Sequence, residues 1–129
     1  MTAKELRGGG GSKPRSWSPS TLLEALRTSF DDIEAYAYMN GGELILRSEY
    51  ELIIIRVPSS LIYWDLGAYL YKLGAQVYDC RRGIGFILPT ASGPRLVFHA
   101  RIIHRENGKA YIAIEPRGVV NRGEKPKLC

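Results

Sequence analysis

Glu106-Asn107-Gly108 stands between two stretches in which apolar and polar residues alternate, 95–105 and 109–115. Asn and Gly accept the positive φ that a tight reversal needs, so the chain is committed here to an antiparallel hairpin. A lone hairpin is marginal in water and needs more strands or a helix against its apolar face. The remaining punctuation along the chain supplies both.

Ser18 suits a helix N-cap and Pro19 the first helical position; Thr21 with Glu24 offers a second cap. Leu22, Leu26, Phe30 and Ile33 then recur at helical spacing, which predicts one buried face. Asp31 and Asp32 oppose the dipole at a helix C-terminus, so the helix is expected to stop about there. Three strands are predicted to follow. The first, 34–39, turns at Asn40-Gly41-Gly42, and the second, 43–47, turns over 47–50. The third, 51–57, is apolar enough to be central and buried on both faces. Pro58 ends it, and Ser59 or Ser60 caps a second helix with the stripe Ile62, Leu66, Tyr69, Leu70 and Leu73, closed by Gly74. Strands at 75–80 and 84–88, joined by a turn at Arg81-Arg82-Gly83, lead through a Pro-Gly loop into the hairpin.

The expected fold is α+β, with two helix-plus-antiparallel-meander halves in the order α-βββ-α-ββββ and the helices packed on the sheet. Residues 33–46 lie over 75–88 without a gap, matching at Tyr36/Tyr78, Gly41/Gly83, Ile45/Ile87 and Leu46/Leu88, a weak internal repeat. Residues 1–17 read as a disordered basic Gly-rich arm, 18–116 as a single domain and 117–129 as a loose basic tail.

Charge is distributed unevenly: residues 1–18 carry +3, 19–79 carry −5 and 80–129 carry +7. Such a sided field favours an acidic partner for the second half, unless the halves neutralise each other across the fold. Within 81–105 lie Arg81, Arg82, Arg95, Arg101 and Arg105, with His99 and His104 and no Asp or Glu. Strand alternation puts Arg95, His99, Arg101 and Arg105 on one face, and Leu96, Phe98, Ala100, Ile102 and His104 toward the core. Arginine meets phosphate bidentately and stacks on bases. Arg81 and Arg82 at a glycine-bearing turn could clamp a phosphate, although the spacing is not a dinucleotide fingerprint. Tyr78 alternates away from Val77 and could turn its ring to the same surface to stack a base.

No catalytic constellation is present. His99 and His104 are expected on opposite faces, the cysteines lack CxxC spacing, and neither a metal nor a cofactor is implied. Two cysteines, Cys80 and Cys129, make no disulfide framework. The first residues contain no apolar signal region, and the longest apolar run, 52–55, is far below the roughly 20 residues of a membrane span. A cytoplasmic protein without a membrane partner is therefore expected. Its single glutamine, Gln76, and three asparagines add a thermophile-like note. These features describe a small, basic, non-enzymatic nucleic-acid-binding protein. RNA is favoured over duplex DNA because no helix carries the cations a major-groove reader needs. The alternative is a non-catalytic subunit or homo-oligomeric interaction module, meeting a protein partner or its own copy through strand edges.

Overall fold

The computed structural model describes residues 17–61, 76–120 and 129. Among these, a helix, α1 (Pro19–Met39), precedes strands β1 (Glu43–Ser48), β2 (Leu52–Pro58), β3 (Gln76–Cys80), β4 (Gly83–Pro89), β5 (Arg95–Glu106) and β6 (Lys109–Val119), with a 3-10 turn at Ser59–Leu61. The fold is α+β, a helix packed on an antiparallel sheet, as the punctuation predicts. The stripe expected for a second helix, from Ile62 to Gly74, lies outside the described residues, as does the 1–16 portion of the basic arm. Trp17 is described, and its ring lies against Gly93.

Helix α1 begins as its sequence says. Ser18 caps it by accepting a hydrogen bond from the Thr21 N–H at 3.2 Å, and Pro19 opens the first turn. It does not stop at Asp31. Residues 34–39, expected as a strand, continue the helix, because Ala25, Ser29, Phe30, Ile33 and Ala37 make one unbroken buried stripe. Asn40-Gly41-Gly42 is the helix terminus, not a hairpin turn. Gly41 adopts φ +79°; its N–H bonds the Tyr38 carbonyl at 3.2 Å, and the Gly42 N–H bonds the Ala37 carbonyl at 2.7 Å. This double closure satisfies carbonyls the helix would otherwise leave open. Asp31 and Glu34 have a different role from ending the helix. With Glu49 they hold Arg47 of β1, at 2.8 Å from Asp31 and 3.0 Å from Glu34. The Arg47 guanidinium also lies over the Phe30 ring, 5.6 Å from its centre, so one side chain ties the edge strand to the helix.

The sheet order is β1-β2-β6-β5-β4-β3, and every pairing is antiparallel. Strand β6 lies between β2 and β5, joining the first hairpin to the β3–β5 meander. Strand β2 is an inner strand, but it alternates: Ile53, Ile55 and Val57 are fully buried, whereas Leu52, Ile54 and Arg56 are half-buried. Its second face is thus less covered than its composition predicts. The core lies on the helix side of the sheet. There Phe30 of α1 meets Phe98 of β5 with ring centres 6.4 Å apart, and Phe98 stacks on Phe86 of β4 at 5.2 Å. Residues 33–39 are helical whereas Gln76–Cys80 form a strand, so the weak sequence repeat pairs unlike structures.

The C-terminal part departs most from a loose tail. Strand β6 runs on to Val119, and Cys129 is joined to Cys80 by a disulfide. The sequence reading, which made no disulfide of these thiols, is corrected here: the Cα atoms stand 5.6 Å apart across 49 residues of chain. No helix among the described residues is long and apolar enough to cross a membrane.

Candidate nucleic-acid interface

The face of the sheet opposite α1 carries the candidate site. Pairing aligns Tyr78 with Gly85, Gly85 with His99 and His99 with Glu115 in one row across β3, β4, β5 and β6. The adjoining row holds Cys80 and Gly83, with Arg101 opposite Ala113. Directly opposed side chains share a face, so Tyr78, His99, Cys80 and Arg101 all lie on the side away from the helix.

At the Cys80 end of these rows is an open cleft of about 480 Å³ lined by Cys80, Arg81, Arg82, His99, Arg101, Arg117 and Cys129. Arg81 and Arg82 reach it from the β3–β4 turn. That turn closes on Gly83, at φ +118°, where a Cβ would collide with the Ala100 carbonyl and come 3.1 Å from His99 Nε2. Only glycine lets the arginine turn sit this close to β5. Arg117 arrives by a bulge. Val97 pairs with Gly118 but Phe98 pairs with Pro116, leaving Arg117 as the extra residue of β6, and bulges re-aim side chains in this way.

Among the described residues no carboxylate lines the cleft. Among the described residues Arg81, Arg82 and Arg101 form no ion pair, and Arg117 has an exposed contact with Glu115 at 3.4 Å. Four acids of the first half are engaged within that half: Asp31, Glu34 and Glu49 hold Arg47, and Glu43 holds Arg56. They do not neutralise the cleft.

His99 is only 8% exposed, and its Nδ1 has no hydrogen-bond partner. Burial, more than any other influence, pushes the His99 imidazole below its ordinary value of 6.5. Arg117 and Arg101 push the same way, while Glu115 and a hydrogen bond to the Arg82 backbone oppose them. The ring is therefore neutral at pH 7, and the sign of its effect on stability follows. The unfolded chain takes up a proton near pH 6.5 and the folded chain only lower, so stability present above pH 6.5 is lost as pH falls through the folded value. Thermal melts at pH 7.5 and 5.5 should show His99→Gln losing less stability on acidification than the parent. Equal losses would mean His99 is not the group responsible.

The structure thus brings together Arg81, Arg82, His99 and Arg101, with Tyr78 nearby at 40% exposure. It separates the other two arginines of the expected ribbon. Arg95 is six residues from Arg101, ~20 Å along an extended strand, and donates to Gln76 Oε1 at 2.7 Å. Arg105 is displaced by a second bulge. Ile102 pairs with Ile112 and His104 with Tyr111, so Ile103 is the extra residue and the alternation reverses beyond it. Arg105 then lies opposite the core residue Ala110, on the helix side. His104 moves to the open face, 5.4 Å from the Tyr111 ring, so the expectation that His99 and His104 face opposite ways does not hold. Among the described residues no three His, Cys, Asp or Glu side chains are placed to hold a metal ion.

Arg117 and the disulfide are the lining residues that sequence reasoning missed. The only sequence signal for Arg117 is that Tyr111, Ala113 and Glu115 already alternate toward the same face. Compared with known proteins, the chain matches no family model, no curated protein and no solved structure.

Proposed function

We propose that the protein is a non-enzymatic nucleic-acid binder that takes single-stranded RNA in preference to duplex DNA, with phosphates held by Arg81, Arg82, Arg101 and Arg117. The supporting observation is the cleft itself, lined by four arginines and, among the described residues, by no carboxylate. Guanidinium forks bind phosphate oxygens in pairs, and water-excluding walls strengthen each contact. Tyr78, half-exposed beside the cleft, offers a face on which a splayed base stacks. A cytoplasmic setting belongs to the same reading. Disulfides inside cells are characteristic of hyperthermophiles, which agrees with the few amides of this chain.

The test is the salt dependence of binding to a single-stranded RNA. Each phosphate contact contributes about 0.7 to the slope of log K against log salt on a single strand. The double variant Arg82→Ala, Arg101→Ala should therefore lower that slope by about 1.4. A slope equal to the parent's would remove the cleft from the binding surface.

A second reading has one observation in its favour. Strand β1 is an edge among the described residues, and Ile45 and Leu46 on it are 43% and 46% exposed. Edge pairing with a second copy would cover them, making the protein a subunit of an assembly. Light scattering that finds a monomer at all concentrations would dismiss it.

A further inference from the structure

The positive groups form a focus and not a track. A nucleic-acid chain passing over the sheet would present one charge per diester, spaced along its length, and would be met by cations in a line. The two arginines that could extend such a line leave it: Arg95 sits beside Gln76 toward the far end of β5, and Arg105 goes to the helix side past the Ile103 bulge. What remains converges from separate elements, Arg81 and Arg82 from the β3–β4 turn, Arg101 from β5 and Arg117 from β6. Convergent guanidinium groups suit a ligand that concentrates charge on one phosphorus. A phosphomonoester carries about −1.5 to −2 at pH 7 and three acceptor oxygens, which a diester does not.

The cleft has more room than a free anion requires. Its volume of about 480 Å³ falls within the ~300–1,000 Å³ usual for sites that hold small organic molecules. His99 stands in its wall, with a buried Nδ1 that has no hydrogen-bond partner. Next to it the row Tyr78, Gly85, His99 has no side chain at its middle position. Gly85 is itself buried, whereas Tyr78, on the outer strand of the row, is 40% exposed and offers its ring to a base.

Resting on the nucleic-acid reading above, we propose that this cleft seats the phosphorylated end of a single strand. The terminal phosphomonoester lies among Arg81, Arg82, Arg101 and Arg117, and the terminal base stacks on Tyr78. Binding is by charge and shape; no bond is made or broken.

Fluorescence anisotropy of the full chain at fixed salt tests it with three single-stranded RNAs of one sequence, bearing a 5′-phosphate, a 3′-phosphate or hydroxyls at both ends. One of the phosphorylated RNAs should bind at least about tenfold more tightly than the hydroxyl form. Which one it is identifies the end that enters. Arg101→Ala, an exposed position whose variant can be checked for folding by circular dichroism, should reduce that preference to about twofold or less. Tyr78→Ala should weaken both phosphorylated and hydroxyl RNAs while leaving the salt slope unchanged. Equal affinity for all three RNAs would overturn the terminal-phosphate assignment while leaving the wider reading in place. Failure of all three to bind at low salt would overturn both.

Discussion

Phe98→Ala should lower the free energy of unfolding by about 3–5 kcal/mol, the range for removing a large buried aromatic. Phe98 is fully buried and is the ring through which the layers meet, tilted against Phe30 of α1 and stacked on Phe86 of β4. Truncation would remove both ring contacts and leave a cavity between helix and sheet that rigid neighbours cannot fill. The loss should reach the cleft as well, because His99 and Arg101 follow Phe98 on the same strand. Guanidinium chloride denaturation measures the change as a shift in midpoint at constant slope. A change below about 1 kcal/mol would mean the site repacks, against the usual behaviour of cores.

Opening the Cys80–Cys129 disulfide should have an effect of similar size. The bridge spans 49 residues of sequence. For loops of that length the restriction it places on the unfolded chain amounts to about 4 kcal/mol, within an observed range of about 2–5. Cys80 ends β3, an outermost strand among those described, and one that has only β4 as a partner. Strand β3 should therefore be the first to lose amide protection when the bond is reduced. The comparison is between oxidised protein, reduced protein and the double variant Cys80→Ser, Cys129→Ser in the same denaturant series. Coincident curves would show that the bridge adds nothing to the fold. Because both cysteines line the cleft, RNA affinity measured in parallel would show how far the rim depends on the bond.

Local chemistry was legible wherever a residue acts on its own neighbours. Ser18-Pro19 announced the helix start, and Asn107-Gly108 the β5–β6 turn, with φ +52° and +73°. Asn40-Gly41-Gly42 misled because the positive φ that closes a hairpin also closes a helix. The four-residue alternation of Ala and Tyr over 35–38 is too short to separate the two periods. Only Ala37, buried beneath the same stripe as Ala25 and Ile33, decides for the helix. Turn chemistry and alternation were likewise enough to unite Arg81, Arg82, His99 and Arg101. Arg105 was misplaced because the Ile103 bulge exists only when β5 and β6 pair, so no local pattern of residues records it. Arg117 was missed because the chain from 117 on reads as a loose tail, although it continues the alternation of Tyr111, Ala113 and Glu115 along β6. Cys80 and Cys129 meet through the tertiary fold, which spacing along the chain does not reveal.

The position of β6 has a consequence for how the protein is made. Emerging from a ribosome, the β1–β2 hairpin and the β3–β5 meander would each carry an open hydrogen-bonding flank, and Ile55 would wait for Ile112. The strand that completes the sheet is the last to be synthesised of the six. Until it slots between them, both flanks are available to any passing chain, so the interval of greatest hazard falls just before synthesis reaches Val119.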